Sequence, residues 1–305
     1  MNIKETMKKY EILRCGVQRL YYLYYSLLTI ISPALNTKVR YKKIFGRKLD
    51  LENPQTLNEK ILKMKLESYA TDPLIRKCAD KYAVRSYVKE SGVGEILVPL
   101  IASYDKVDEI EWKKLPNSFV MKWNYGCGFN IVCLDKEKAD VLELKNQMKK
   151  WSKVRYYLPY SEMQYKGVQK KIIVEKYLKP QHGKLPDDYK VYCFNGKAMY
   201  VMLCVGRENG HAKYLYYDRN FQFMRDFSYD GIDMPEDFEL EKPEGYGALF
   251  FYAEKLSAPF KFVRADFYLV DGQVYFGELT FTPSAGLDAG RIPEVDNLFG
   301  KLLDI

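Results

Sequence analysis

The sequence predicts an α+β fold, a helical first third followed by antiparallel sheet, and three observations carry that prediction. The first ninety residues hold helix entry and exit signals. From Lys171 onward runs rich in Val, Ile, Tyr and Phe take over, and two dipeptides, Asn195-Gly196 and Asp271-Gly272, sit between such runs as hairpin turns. With 305 residues the chain can build one large domain or two to three smaller lobes.

Helices are expected at about 3–31, 57–68 and 73–91. Pro54 and Thr56 precede Asn58-Glu59-Lys60 as a capped start, Asp72-Pro73 opens the third helix with proline in its first turn, and Ser91-Gly92 closes it. After Pro116, Ser118 to Trp123 reads as a strand, and residues 135–153 as a charged helix. Lys171 to Leu178 is the next strand; Tyr189–Tyr192 and Ala198–Val205 flank the first hairpin turn. Residues 226–245 read as an acidic loop, followed by a helix to about Leu256 and a last hairpin over Phe262–Thr280. There is no internal repeat. The expected division is a basic helical extension (1–56), an N-terminal lobe (57–117), a small lobe with a glycine loop (118–180) and a large lobe with a metal site (181–305).

Composition narrows the chemistry. Six cysteines without CxxC spacing, and no secretory signal, point to reduced thiols in the cytoplasm rather than disulfides or structural zinc. With only His182 and His211 available, nucleophilic triads that need an imidazole base are a poor fit. The net charge of +8 is uneven: residues 1–90 carry nineteen Lys and Arg against nine Asp and Glu. No nucleic-acid-binding motif accompanies that excess, so a nucleic-acid partner is not expected. Leu20 to Leu35 is apolar and Tyr-rich, shorter than the roughly 20 residues needed to span a bilayer, and flanked by Lys8, Lys9, Arg14, Arg19, Lys38 and Arg40. Such a stretch is commonly a helix packed on the body of the protein; the other reading is an interfacial helix at the inner face of the membrane, a peripheral contact.

Phe262–Thr280 carries Arg264, Asp266, Glu278 and Thr280 on hairpin strands. A two-residue turn would pair Ala265 with Glu278 and send the two carboxylates to opposite faces. A three-residue loop, Val270-Asp271-Gly272, with a bulge at Gly272 pairs Arg264 with Glu278 and sets Asp266 diagonally across, and this register is the expected one. Asp266 and Glu278 could then share a magnesium ion, which takes its other ligands from water and phosphate, and Thr280 on the same face could add an oxygen. The plain alternative is an Arg264–Glu278 cross-strand salt bridge.

A second constellation runs from Phe119 to Val132. Lys122 ends a strand, and Asn124, Gly126 and Gly128 lie in the loop that leads to the next. Glycine lets backbone N–H groups close on an oxyanion and lysine supplies a point charge, so the segment can serve as a phosphate loop; it can equally be a turn with spare glycines.

Taken in order, Asp80-Lys81-Tyr82, Lys122 with its glycine loop, Glu175-Lys-Tyr-Leu178, Arg264-x-Asp266 and Glu278-x-Thr280 resemble the ATP-grasp enzymes. Leu57-Asn-Glu-Lys60, Ala79-Asp-Lys-Tyr82 with Val84-Arg85, Asp188 to Gly196 and Phe276-Gly-Glu-Leu-Thr-Phe-Thr-Pro-Ser-Ala-Gly286 are similar to the TupA-like branch, associated with teichuronopeptide and capsular polysaccharide synthesis. The resemblance covers residue 40 or so to the C-terminus.

It implies an ATP-grasp fold with a nucleotide held between two α+β lobes. Lys81 and Lys122 would approach the phosphates of ATP, Glu175, Tyr177 and Leu178 would form the adenine hinge, and Asp188 would meet the ribose, with Lys190 a further phosphate ligand. Asp266, Glu278 and Thr280 would hold Mg2+, although many members carry asparagine where this chain has Thr280. Arg264 and Lys122 would stabilise charge on the transferring phosphoryl group. The implied reaction joins a uronic acid carboxylate of a glycan or its precursor to an amine or amino acid through an acyl phosphate. A sugar kinase and a non-catalytic glycan-binding scaffold are the alternatives.

Overall fold

The computed structural model describes residues 3–180, 183, 185–206 and 212–305; His182 and His211 lie outside the described residues. The chain opens with helix α1 (Ile3–Ile31), which turns at Ser32 into α2 (Pro33–Phe45), a helix not expected from the sequence. Ser32 caps α2 by accepting from the Leu35 N–H, Pro33 occupies the first turn, and Gly46 at φ +71° ends it. Together α1 and α2 clamp residues 155–161: Tyr22 donates to the Arg155 carbonyl at 3.2 Å, Thr29 to that of Leu158 at 2.5 Å, and the Arg40 Nε to that of Pro159 at 2.7 Å.

Helix α3 (Leu57–Glu67) starts with the expected box, Thr56 accepting from the Glu59 N–H while Glu59 accepts from the Thr56 N–H. The single helix expected over 73–91 is instead two, α4 (Pro73–Ala79) and α5 (Val84–Glu90). Asp80 breaks it: its backbone is extended, and its carboxylate accepts from the N–H groups of Tyr82 and Ala83 at 2.8 and 3.1 Å, the local bonding with which aspartate competes against helix. Lys81 therefore sits on a kink, its N–H bound to the Asn124 carbonyl at 2.8 Å.

Four antiparallel strands form the first sheet, β1 (Leu100–Tyr104), β2 (Phe119–Trp123), β3 (Asn130–Cys133) and β4 (Ile172–Lys176), in the order β1-β4-β2-β3. Phe119, Met121, Trp123 and Val174 on one face meet Met148 of α6 (Val141–Ser152) in a shared core. Helix α6 begins at the Asp140 cap, later than the expected residue 135, because Asp140 accepts from the Leu142 and Glu143 N–H groups. A short α7 (Tyr157–Tyr160) follows in the clamped segment.

The second sheet is also antiparallel, with β5 (Asp188–Phe194), β6 (Lys197–Val205), β7 (Lys213–Tyr217), β8 (Phe262–Val270) and β9 (Gln273–Thr280) in the order β7-β6-β5-β8-β9. Within the expected 226–245 loop lies one short helix, α8 (Tyr229–Ile232), capped by Ser228. Helix α9 (Tyr246–Ser257) buries Leu249, Phe250, Ala253 and Leu256 in the core it shares with Val191, Leu203, Ala265 and Phe267 of the sheet, and α10 (Pro293–Lys301) closes the chain.

The β8–β9 register differs from the expected one. Val270 pairs with Gln273, so the turn has two residues, Asp271 and Gly272, both at positive φ (+51° and +74°), the signature of a type I′ turn. A bulge at Gly277 then restores the alignment: Phe267 faces Phe276, but Asp266 faces Glu278 and Arg264 faces Thr280. A Cβ on Gly277 would lie 2.9 Å from the Asp266 carbonyl oxygen, which is why this position takes glycine.

Candidate active site

Strand pairing sets the site out as rows on one face of the second sheet. Tyr216, Met202, Lys190, Asp266 and Glu278 lie across all five strands; Tyr214, Cys204, Asp188 and Tyr268 form the neighbouring row, and Arg264 with Thr280 a third. Apart from Thr280, these rows form the floor of a cleft of about 720 Å³ whose opposite wall comes from Lys81, Val120, Lys122 and the loop of Gly126, Cys127 and Gly128.

The charges are tightly paired. Arg264 grips Asp266 with two donors, Nε at 2.7 Å and Nη2 at 2.6 Å, and Lys190 reaches Asp266 at 3.1 Å while also bonding Asp188. Lys81 crosses from the opposite wall to Glu278 at 3.0 Å and donates to the Gly126 carbonyl at 2.6 Å. Thr280 donates to Glu278 at 3.3 Å. The Arg264–Glu278 cross-strand pair considered from sequence is replaced by Arg264–Asp266 along one strand, because the bulge puts Thr280 opposite Arg264.

Burial opposes ionisation throughout, and the outcome differs from group to group. Burial would raise Glu278, yet Lys81, Lys190 and Arg264 outweigh it and hold the carboxylate down at about 2. Asp266 is more deeply buried, so burial dominates and raises its pKa against the pull of Arg264 and Lys190. Burial works against the charge on Lys190 and Lys81, but Asp266 with Asp188, and Glu278, more than offset it and raise both amines.

The other expected residues fall in several places. Lys122 pairs with Glu175 at 2.7 Å, and Glu175 is held from its other side by Arg85 at 2.9 Å. Asn124 spends its amide within the fold, on Asp80, the Gln169 carbonyl and the Lys171 N–H, and so ties the glycine loop to the kink that carries Lys81. Gly126 is required by its φ of +69° and because a Cβ would come within 2.6 Å of the Tyr156 ring. Lys81, Lys122, Gly126, Gly128, Asp188, Lys190, Arg264, Asp266 and Glu278 line the cleft; Asn124, Glu175, Tyr177, Leu178 and Thr280 are not among its lining.

Sequence reasoning missed the far end of the cleft, lined by Tyr214, Asp230, Ser284, Asp288 and Arg291. Ser284 and Ala285 adopt left-handed conformations (φ +49° and +59°), and the loop is braced from behind by Lys65, which donates to the Ala285 carbonyl at 3.0 Å, and by Glu162, which accepts from Thr282 at 2.6 Å. Arg291 is buried, donates to Asp288 at 3.0 Å, and leaves its Nη1 without a hydrogen-bond partner among the described residues. The run Thr282-Pro-Ser-Ala-Gly286 was a sequence signal for this loop; Arg291, Lys65 and Glu162 gave none.

As for which cofactor could sit here, no group of three or more His, Cys, Asp or Glu side chains able to hold a metal occurs among the described residues. Asp266 and Glu278 are a facing pair, which is the donor set for an ion that draws its remaining ligands from phosphate and water. A divalent ion between them would replace the cations that now neutralise both.

Solved structures similar to this chain include L-amino acid ligase from Bacillus licheniformis (13% identity, TM-score 0.42, 70% of this chain and 43% of that one covered). D-alanine–D-alanine ligase from Bacillus anthracis is similar over 81% of this chain and 65% of its own (17% identity, TM-score 0.43). The same enzyme complexed with ATP is similar over 87% and 69% (16% identity, TM-score 0.43). The match spans about two-fifths of the first ligase and two-thirds of the second. No curated protein matches the sequence. A family model described as TupA-like ATP-grasp matches residues 59–304, which hold both sheets and the whole cleft, and the chain belongs to that family.

Proposed function

We propose that the protein is an ATP-dependent carboxylate–amine ligase that joins an amino acid or other amine to a uronic acid of a capsular or cell-wall polysaccharide, or its precursor, in the cytoplasm. The observation that carries this reading is the row Lys190–Asp266–Glu278 facing Lys81 and Lys122 across one cleft, in a chain of the TupA-like ATP-grasp family.

The chemistry asks for positioning and charge neutralisation rather than an imidazole base. Lys81, Lys190 and Arg264 would bind phosphate oxygens, and release of their present carboxylate partners would free those carboxylates for magnesium. Bound Mg2+ would neutralise charge on the phosphates. The substrate carboxylate attacks the γ-phosphorus of ATP, giving an acyl phosphate and ADP; the amine then attacks the acyl carbon, expelling phosphate and losing a proton as the amide forms. Arg264, buried and charged, would stabilise charge on the transferring phosphoryl group in the first step and on the tetrahedral oxyanion in the second.

The test is ADP release with uronic acids and amines supplied singly and together. Release that needs both, with an amide product by mass spectrometry, supports the reading. A stable phosphoester formed without an amine would replace it with the kinase reading. No release with any pair, and no nucleotide binding, would leave a scaffold.

A further inference from the structure

Helix α1 is amphipathic in the opposite sense from a helix packed on a core. The side it turns to the body carries Tyr22, Tyr25, Ser26 and Thr29, with Tyr25 and Thr29 each only 2% exposed. The side it turns outward carries Val17, Leu20, Leu23, Tyr24, Leu27, Ile30 and Ile31, with Leu20 at 68% and Ile31 at 72%. At 100° per residue these seven fall within an arc of roughly 140°. That is wider than the a/d seam by which a second copy would pair as a two-stranded coiled coil, and no helix is long and apolar enough to cross a membrane among the described residues.

Charge identifies the occupant. From Ile12 to Leu49 the sequence holds eight Lys and Arg and no acidic residue. Exposed Arg19 lies beside Leu23 and Ile30 at one border of the arc; at the other, Tyr21 meets the amine of Lys43 on α2 at 4.7 Å from its ring. Lys38 and Lys42 are exposed on α2 beside Leu35, itself an exposed apolar residue. An apolar strip bordered on both sides by cations is complementary to acyl chains beneath anionic headgroups.

We propose that the outward face of α1, with the basic rim of α2, docks the protein on an anionic lipid bilayer, the helix lying in the plane of the interface. The proposal deepens the ligase reading by giving its glycan acceptor a membrane-bound source. Its readout is independent of that chemistry.

Full-length protein is floated with phosphatidylcholine vesicles, with and without phosphatidylglycerol. The expected result is partitioning onto the anionic vesicles only. It weakens several-fold when salt rises from about 0.1 to about 1 M, which shortens the Debye length from about 10 to about 3 Å. The triple variant Leu20→Ser/Leu27→Ser/Ile31→Ser, which removes only exposed contacts, should lose partitioning by tenfold or more while its melting temperature and its shift with a nucleotide analogue stay unchanged. Lys38→Glu/Lys42→Glu/Lys43→Glu should lose it several-fold. Absence of vesicle binding by the wild type overturns the proposal. Dimers in light scattering that the serine variant dissolves, without vesicle binding, would assign the face to a second copy instead.

Discussion

Two hairpins in the second sheet share their design and differ in what it delivers. In β5–β6 the turn is Asn195-Gly196, with φ of +49° and +78°; in β8–β9 it is Asp271-Gly272, with +51° and +74°. Each has one extra residue on its second strand: Met199 between the Cys193–Ala198 and Tyr192–Tyr200 pairs, and Gly277 between Phe267–Phe276 and Asp266–Glu278. Met199 packs a side chain on the core, so the first bulge serves stability. Gly277 has no side chain because the Asp266 carbonyl occupies its place, and the second bulge turns Glu278 onto the face that holds Lys190, Asp266 and Arg264. The same local device is structural in one hairpin and sets the chemistry in the other.

The strongest way to sharpen this contrast is to remove what the second hairpin delivers. Glu278→Ala should lower ADP release by a hundredfold or more, the usual cost of losing an electrostatic contact to the transition state; near-normal turnover would remove Glu278 from the metal and phosphate site. Next is the opposite wall. A saturating non-hydrolysable ATP analogue with magnesium should stabilise the wild type by about 2.7 kcal/mol at 100 times its dissociation constant, and Lys122→Ala should abolish most of the accompanying rise in melting temperature. An unchanged shift would mean that Lys122 serves only its pair with Glu175.

Breaking the bulge tests the comparison itself. Gly277→Ala places a Cβ against the Asp266 carbonyl at 2.9 Å and should cost about 1–3 kcal/mol of stability. ADP release should fall further than stability alone accounts for, because the carboxylates leave their common face. In the first hairpin Gly196→Ala, at φ +78°, should cost about 1–2 kcal/mol and leave the nucleotide-induced shift untouched. Equal losses of ADP release in the two variants would erase the distinction.

The smallest effect is in pH. Glu278 is held at about 2, below its ordinary 4.5, so the stability it contributes is present above pH 4.5 and lost as pH falls toward 2. Asp266 is raised above its ordinary 3.8 by burial, so its contribution is present below that value and lost as pH rises through its folded pKa. Denaturation of Glu278→Gln and Asp266→Asn across pH 2–6 should therefore show stability differences from the wild type that change in opposite directions; parallel curves would contradict the assignment.

Much of this molecule follows from local chemistry that a sequence displays. The Thr56–Glu59 capping box, the Asp72-Pro73 helix entry and the Asn195-Gly196 turn act within a few residues, and each is where the sequence puts it; Asp271-Gly272 also turns its hairpin, but as a two-residue turn in place of the expected three-residue loop. The residue types of the cleft were legible for the same reason, since Lys81, Lys122, Arg264, Asp266 and Glu278 stand on recognisable turns and strands. What could not be read depends on contacts between distant segments. The helix break at Asp80 is secured by Asn124 at the start of the glycine loop, the bulge at Gly277 by the backbone of the facing strand, and the Lys122–Glu175 pair by Arg85 on α5. The sequence by itself determined the elements, their turns and the set of charges. Only the tertiary structure decided which charges share a face and which side of α1 stays bare, because register and exposure depend on what each segment packs against, and hydrophobic spacing alone does not record that.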